Sequence, residues 1–238
     1  MALALPDAGD KAAVVRAMFD RIAPRYDRLN SVLTMRLDRG WRRATLAAAR
    51  IGPGDRVVDV ACGTGDLVEI AARRGARVVG VDFAAGMLAI AGRRGLGARL
   101  VRGDALALPL PDASADALTC AFALRNFVAI PPFLAEAARV LRPGGRLAVL
   151  EVATPRTRLL QAAHHAYFHR AVPWLGALLA ERDAYAYLPA STAYLPPAEA
   201  LLSAIRAAGF ATVERRLLGL GAVQLLSAER RPSVGGVA

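Results

Sequence analysis

The stretch Arg56–Asp66, RVVDVACGTGD, decides the fold. RVVDVA is a short run of β-branched and small apolar residues broken by one aspartate, the pattern of a strand covered on both faces. CGTGD follows it, and LVEIAARR then has helical character. A strand that passes through a glycine turn into a helix is the opening half of a parallel βαβ unit, with Gly63 and Gly65 at the carboxyl end of the strand.

Outward from this unit the alternation continues. The runs ARVVGVD (76–82), ARLVRGD (98–104), DALTCAFA (116–123) and RLAVLEV (146–152) read as further strands. Helices are predicted near 66–74, 84–94 and 130–140, the last ended by Arg142-Pro143-Gly144-Gly145. ATVERRLL (211–218) and AVQLLSAE (222–229), separated by Gly219 and Gly221, read as a closing hairpin after a helix over 198–208. The fold class is therefore α/β, a doubly wound, mostly parallel, seven-stranded sheet.

Residues 1–50 form a helical N-terminal cap, 51–228 the α/β domain, 156–196 a substrate-covering insertion after the fifth strand, and 229–238 a disordered tail. In the cap, Asp10 is expected to start a helix that Pro24 stops after Ile22, followed by short helices over Asn30–Met35 and Asp38–Arg50.

Composition narrows the chemistry. A chain of 238 residues that is 55% hydrophobic suits one well-buried domain. The apolar run Ala171–Ala180 is far below the roughly 18 residues of a membrane span, and the N-terminus has no secretory leader, so a cytoplasmic location is expected. Cys62 and Cys120 read as packing residues. The net charge of +11 rests on arginines, with Lys11 the single lysine. That excludes a Walker loop and a Schiff-base lysine in the core. The charge suits an anionic lipid surface or nucleic acid, and an arginine bias across the proteome accounts for it equally well.

The strand ends carry the ligand chemistry. Gly63 and Gly65 let a ligand approach the main chain, and the helix beginning near Asp66 offers free N–H groups. Asp82 ends the second strand 17 residues after Gly65, where a carboxylate can accept both hydroxyls of a ribose. A dinucleotide is disfavoured: position 68 holds Val68 instead of a third glycine, and Asp66 would face a pyrophosphate. S-adenosylmethionine, which has no phosphate, fits better. Its ammonium and carboxylate suit an acidic side chain beside a helix N-terminus, and Asp104 with Ala105 is placed to meet adenine. Capping roles for Asp82 and Asp104 are the alternative.

DVACGTGD, GVDF, GDALALPLPD and LRPGGRL, in this order, resemble the motifs of Rossmann-type methyltransferases. MFDRIAPRYDRLNSVLTMRLDRGWRR (18–43), FALRNF (122–127), YFHRAVPWLGALLAERDAYAYLPAS (167–191) and AAGF (207–210) are similar to the demethylmenaquinone and ubiquinone C-methyltransferases. The similarity covers nearly the whole chain. It implies S-adenosylmethionine-dependent C-methylation of a quinol, foremost demethylmenaquinol, with Thr64, Asp82, Asp104 and Ala105 at the cofactor. This chain departs from the family pattern at Ala121, commonly serine, and at Cys62, often glycine.

In such a reaction the ring carbon becomes nucleophilic as a neighbouring hydroxyl loses its proton. Arg125 and Asn126, after the fourth strand, are the candidate charge stabiliser and hydrogen-bond donor; a helix cap or surface pair is the plainer reading of both. Tyr26, Asp27 and Asn30 in the cap, and Asp183 and Tyr185 in the insertion, are candidates for the quinol pocket. His164, His165 and His169 share a helix without an intervening acid, so no metal is expected. Arg36, Arg39, Arg42 and Arg43 around Leu37 and Trp41, with His164–Arg170 around Tyr167 and Phe168, could meet an anionic membrane surface where an isoprenoid quinol resides. Few aromatics and no appended basic domain argue against nucleic acid. A methyltransferase for another aromatic or polyketide, a catalytically silent cofactor-binding subunit, and a homodimer all stay open at this stage.

Overall fold

A computed structural model describes residues 7–155, 157–167, 187 and 190–232. Three helices precede the sheet: α1 (Ala8–Ile22), α2 (Tyr26–Leu33) and α3 (Asp38–Ala48). Then come β1 (Arg56–Val60), α4 (Asp66–Arg73), β2 (Arg77–Asp82), α5 (Ala85–Arg93), β3 (Arg99–Arg102), β4 (Ala115–Ala121), α6 (Ile130–Val140) and β5 (Leu141–Val152). The chain continues through α7 (Arg158–Ala166), α8 (Ala198–Ala207), β6 (Phe210–Leu218) and β7 (Val223–Arg230).

The seven strands lie in the order β3-β2-β1-β4-β5-β7-β6, all parallel except β7, which runs antiparallel to both neighbours. This is the doubly wound sheet that the alternating runs imply, closed by the expected hairpin. Strand order reverses between β1 and β4, and the loops that leave those strands on opposite sides open a crevice at their carboxyl ends.

The period-two pattern of each strand feeds two cores. Val58, Val60, Leu147 and Val149 pack against Phe133 and Leu134 of α6 and Ile205 of α8. Their neighbours Val57, Ala148 and Leu150 face the other way, onto Leu46 of α3 and Leu67 and Val68 of α4. Each such side chain, fully removed from water, contributes about 1.5–3 kcal/mol. Asp59 shares the α3/α4 face with Val57, so a carboxylate is placed inside that layer.

The cap is a third packed unit, in which Val15, Met18 and Ile22 of α1 meet Ala84, Met87 and Tyr187. Lys11 is buried; its Nζ donates to the Phe127 carbonyl at 2.6 Å and lies 3.6 Å from the Tyr194 ring centroid. The single lysine therefore pins α1 onto the chain that leaves β4.

Three boundaries differ from the sequence reading. The first helix starts at Ala8 after Asp7, with Asp10 inside its first turn. The first helix does end at Ile22, as expected, but Pro24 also opens a 3-10 turn, Ala23–Arg25, that runs straight into α2. Proline lacks only an N–H that a first helical turn leaves unpaired anyway, so it starts a helix as readily as it ends one. The second helix is accordingly Tyr26–Leu33 and not Asn30–Met35. Glu229 and Arg230, assigned to the tail, belong to β7, where Glu229 pairs with Ala211 and Arg230 with Phe210.

Candidate active site

The crevice is built from strand ends. β1 stops at Val60, and the chain passes through Ala61 at φ 53°, Gly63 at φ 57° and Gly65 at φ 90° before α4 begins. Gly65 is favoured by its left-handed backbone; a Cβ there would also stand 2.3 Å from Leu96 Cδ1, a contact that a shift of that side chain relieves. Ala61 and, at the end of β4, Phe122 (φ 58°) are side chains in that same region. Each costs on the order of 1–3 kcal/mol, strain of a kind that collects at functional sites. Both line the cleft.

The cleft holds about 760 Å³ of empty space, a figure that includes open solvent. Gly63, Asp82, Asp104 and Ala105 lie along one side and Phe122, Asn126 and Phe127 along another. The cap closes it with Phe19 and Tyr26. A second, smaller hollow of about 310 Å³ shares Tyr26, Ala61, Gly63 and Ala121 with the first and adds Arg42, Asp59, Thr64 and Asp66. One chamber is mainly apolar and the other strongly polar.

Asp82 is buried at the end of β2. Its Oδ2 accepts from Gly63 N at 2.8 Å and its Oδ1 from Ala84 N at 2.9 Å. Burial raises its pKa, and the main-chain donors oppose that rise. Asp82 lines the cleft, and each of its oxygens keeps acceptor capacity beyond these two bonds. Asp104, exposed at the rim, accepts from Leu106 N at 2.9 Å and so also caps a turn. Ala105 beside it is buried.

Asp59, in the polar hollow, is buried and accepts from Thr119 Oγ1 at 2.6 Å. Desolvation pushes its carboxyl up to about 7, with the Thr119 bond pulling the other way. Asp66 opens α4 and is held by Arg94, whose Nη1 donates to it at 2.9 Å and to the Thr64 carbonyl at 2.9 Å. Thr64 Oγ1 donates to Asp27 Oδ1 at 2.5 Å.

Among the sequence candidates, Gly63, Thr64, Asp66, Asp82, Asp104, Ala105, Asn126 and Tyr26 line one or both chambers. Gly65 sits between them as the turn that fixes Thr64 and Asp66. Asp27 is tied to Thr64 instead of lining either chamber, and Asn30 is likewise absent from their walls, although its Nδ2 is buried without a hydrogen-bond partner among the described residues. Asp183 and Tyr185 lie outside the described residues, as do His169 and the side chains of His164 and His165.

Arg125 is buried behind the wall and not in it. Its Nη1 bonds the buried Glu151 carboxylate and, at 2.9 Å, the Phe122 carbonyl. Its Nε is buried with no partner among the described residues. Asn126 Oδ1 accepts from the Tyr187 hydroxyl at 3.2 Å.

Sequence reasoning missed Arg42, which it counted among surface cations. The side chain is 7% exposed and lines the polar hollow. Its spacing carried the signal: Asp38, Arg42, Thr45, Leu46 and Ala49 fall on the buried face of α3. Phe19, Phe83 and Met87 were also missed, since cap residues and the start of α5 meet the cleft only through tertiary packing.

Comparison with known proteins bears on this site. A profile of the ubiE/COQ5 methyltransferase family matches residues 7–229. The demethylmenaquinone methyltransferase of Roseiflexus castenholzii is 46% identical over 235 residues, covering 95% of this chain and 98% of that protein. Those of Deinococcus radiodurans and Thermus thermophilus are 47% and 45% identical, covering 89% and 90% of this chain and 90% and 100% of theirs. Among solved structures, an S-adenosylmethionine-dependent methyltransferase of Mesorhizobium loti superposes with TM-score 0.58 at 19% identity, over 79% of this chain and 96% of that one. The cyclase SpnF does so at 0.62 and 20% identity, over 82% and 81%. Those two likenesses concern the fold alone, and a cyclase among them illustrates how little a fold says of chemistry. A match running from the cap through the last strand is a different matter, and it makes this chain a member of the ubiE/COQ5 methyltransferase family.

Proposed function

We propose that the protein transfers a methyl group from S-adenosylmethionine to a ring carbon of demethylmenaquinol. The observation that carries the proposal is the pair of joined chambers at the carboxyl ends of β1, β2 and β4. One holds a buried carboxylate suited to a ribose, and the other pairs acidic groups with a cation suited to an amino acid. Three relatives above 44% identity bear the name of that activity.

S-adenosylmethionine, when bound, supplies a methyl group on a sulfonium that an electron-rich carbon can displace. The protein's share is mostly binding, orientation and exclusion of water. Asp82 would accept from the ribose hydroxyls, Asp104 and Ala105 would meet the adenine edge, and Asp66 with the α4 N-terminus would take the zwitterionic tail. Phe19, Phe83, Met87, Phe122 and Phe127 give the larger chamber its apolar walls. Such walls suit a flat naphthoquinol and keep water from its ring.

Negative charge develops on the quinol oxygen when its hydroxyl loses a proton. That charge is drawn into the ring as the carbon takes the methyl group, the sulfur leaves as a thioether, and the ring proton is then lost to solvent. Arg125, paired with Glu151 behind the wall, acts on that charge through its field and not by contact with the quinol, and its Nε has no partner among the described residues. Asn126, oriented by Tyr187, serves as hydrogen-bond donor at the same wall. Tyr26 stands where the two chambers meet.

The isoprenoid tail brings the enzyme to the cytoplasmic face of the membrane as a peripheral protein. No helix among the described residues is long and apolar enough to cross a bilayer. Met35 and Leu37 are 70% and 51% exposed between the exposed Arg36, Arg39 and Arg43, a mixture suited to anionic headgroups. Arg42 is withdrawn from this patch, since it faces inward.

Turnover with methyl-tritiated S-adenosylmethionine tests the proposal against a naphthoquinol, a benzoquinol, a polyketide phenol and RNA. Label is expected in the naphthoquinol. Label in RNA, or in none of the four, would remove it.

A further inference from the structure

We infer that Arg42 is a positioning residue that binds the carboxylate of the cofactor's amino acid tail, an assignment that rests on the cofactor reading above. The polar hollow must accommodate an ammonium and a carboxylate. Asp59 and Asp66 supply negative charge for the first. Among the described residues lining this hollow, Arg42 is the only cation that can meet the second. Two main-chain donors of the glycine turn are already used, Gly63 N by Asp82 and Gly65 N by the Cys62 carbonyl, so Arg42 adds a charged donor to what the α4 N-terminus offers.

The guanidinium is held in place without being satisfied. Its Nε is 3.4 Å from Asp38 Oδ2 and its Nη2 is 3.3 Å from Asp66 Oδ2. Charge-assisted N–H···O bonds are usually about 2.7–2.9 Å, so both pairs are loose. No partner meets Nη1 among the described residues. Arg94 makes the contrast plain: it grips the same Asp66 at 2.9 Å together with Glu69 and the Thr64 carbonyl. Arg94 braces the turn, and Arg42 keeps donor capacity in reserve.

Burial sharpens the point. A cation 7% exposed, on the inward face of α3 with the Phe122 ring 5.9 Å away, gives up hydration that two loose carboxylates return only in part. A bidentate carboxylate would complete its shell and is the geometry that a guanidinium fork prefers over an ammonium. The same charge acts on Asp59 and Tyr26, which line the hollow with it. The plainer role is a brace between α3 and α4, and the two roles make different predictions.

Isothermal titration separates them without any turnover. The probes are S-adenosylmethionine and its decarboxylated analogue, which keeps sulfonium and ammonium and lacks only the carboxylate. The wild-type protein is expected to bind the analogue at least 10-fold more weakly. Arg42→Gln should lose roughly 10- to 100-fold for S-adenosylmethionine and less than 3-fold for the analogue, with Arg42→Lys in between. Equal losses for both ligands would make Arg42 a brace, and no loss for either would remove it from the site. Should Arg42→Gln not fold, the Arg42→Lys comparison decides on the same criterion. Wild-type protein that binds neither ligand would overturn the cofactor reading itself, a result distinct from any of these.

Discussion

Thr64 in the glycine turn donates its hydroxyl to Asp27 of α2 at 2.5 Å, across 37 residues of chain. The turn that would face the cofactor and the cap that covers it are thus one hydrogen-bonded unit. Arg94, 3.9 Å from Asp27, reinforces the joint.

Breaking this joint should loosen the cap before it unfolds the sheet. A bond to a half-exposed carboxylate is worth about 1 kcal/mol, and in a chain of this size that lowers the unfolding midpoint by roughly 2–4 °C. Asp27→Ala is therefore expected to show a small midpoint loss and faster protease cleavage between α1 and α3. S-adenosylhomocysteine should suppress that cleavage. Unchanged cleavage would mean that the cap is held by Lys11 and its apolar face alone.

Asp82→Ala should weaken S-adenosylhomocysteine more than 10-fold, since a carboxylate accepting two hydroxyls contributes roughly 1.5–3 kcal/mol. Calorimetric titration of the folded variant is the check, and an unaltered affinity would take Asp82 out of the ribose site.

Asp59 links pH to stability. Its folded-state pKa is raised to about 7, so its contribution is fully present below the ordinary carboxylate range and is lost as pH rises through about 7. Asp59→Asn keeps an acceptor for Thr119 and removes the charge. Thermal melts should show the variant gaining several degrees on wild type at pH 8 and little at pH 5, at roughly 2–4 °C per kcal/mol. A constant gap at both values would place the carboxyl in its ordinary range. The same variant should bind S-adenosylmethionine less well at pH 8, because the hollow has lost one of its two acids.

Arg125 separates stability from catalysis. Arg125→Ala strands Glu151 in the core, and breaking such a pair costs about 3–5 kcal/mol. Arg125→Met combined with Glu151→Leu should recover most of that stability while kcat stays depressed by about 2 kcal/mol or more of transition-state stabilisation. Normal turnover in the double variant would reduce Arg125 to a structural ion pair.

The sheet was legible because each strand is an apolar run bounded by glycine, aspartate or arginine, and β1 with its turn fixed where the site would lie. Gly63, Asp82 and Asp104 were legible for the same reason: strand ends have fixed chemical meaning in an open parallel sheet. Arg42 was not, because an arginine-rich helix looks solvated until its 3.6-residue period is set against Leu46 and Ala49. The bond of Asp27, named for the quinol pocket, to Thr64 and the pairing of Glu151 with Arg125 were hidden differently. Their partners are far apart in sequence, and no local pattern records a contact between α2 and a turn, or between β5 and the segment after β4.

The joined chambers are assigned to direct a methyl group onto quinol carbon. Incubation of the protein with carbon-13-methyl S-adenosylmethionine and demethylmenaquinol, followed by NMR of the extracted product, tests this most directly. One labelled methyl bonded to a ring carbon is expected, with at least 10-fold less formed by Asp82→Ala at limiting cofactor. A labelled methoxy signal, or unmethylated quinol recovered from an enzyme that binds both ligands, would contradict it.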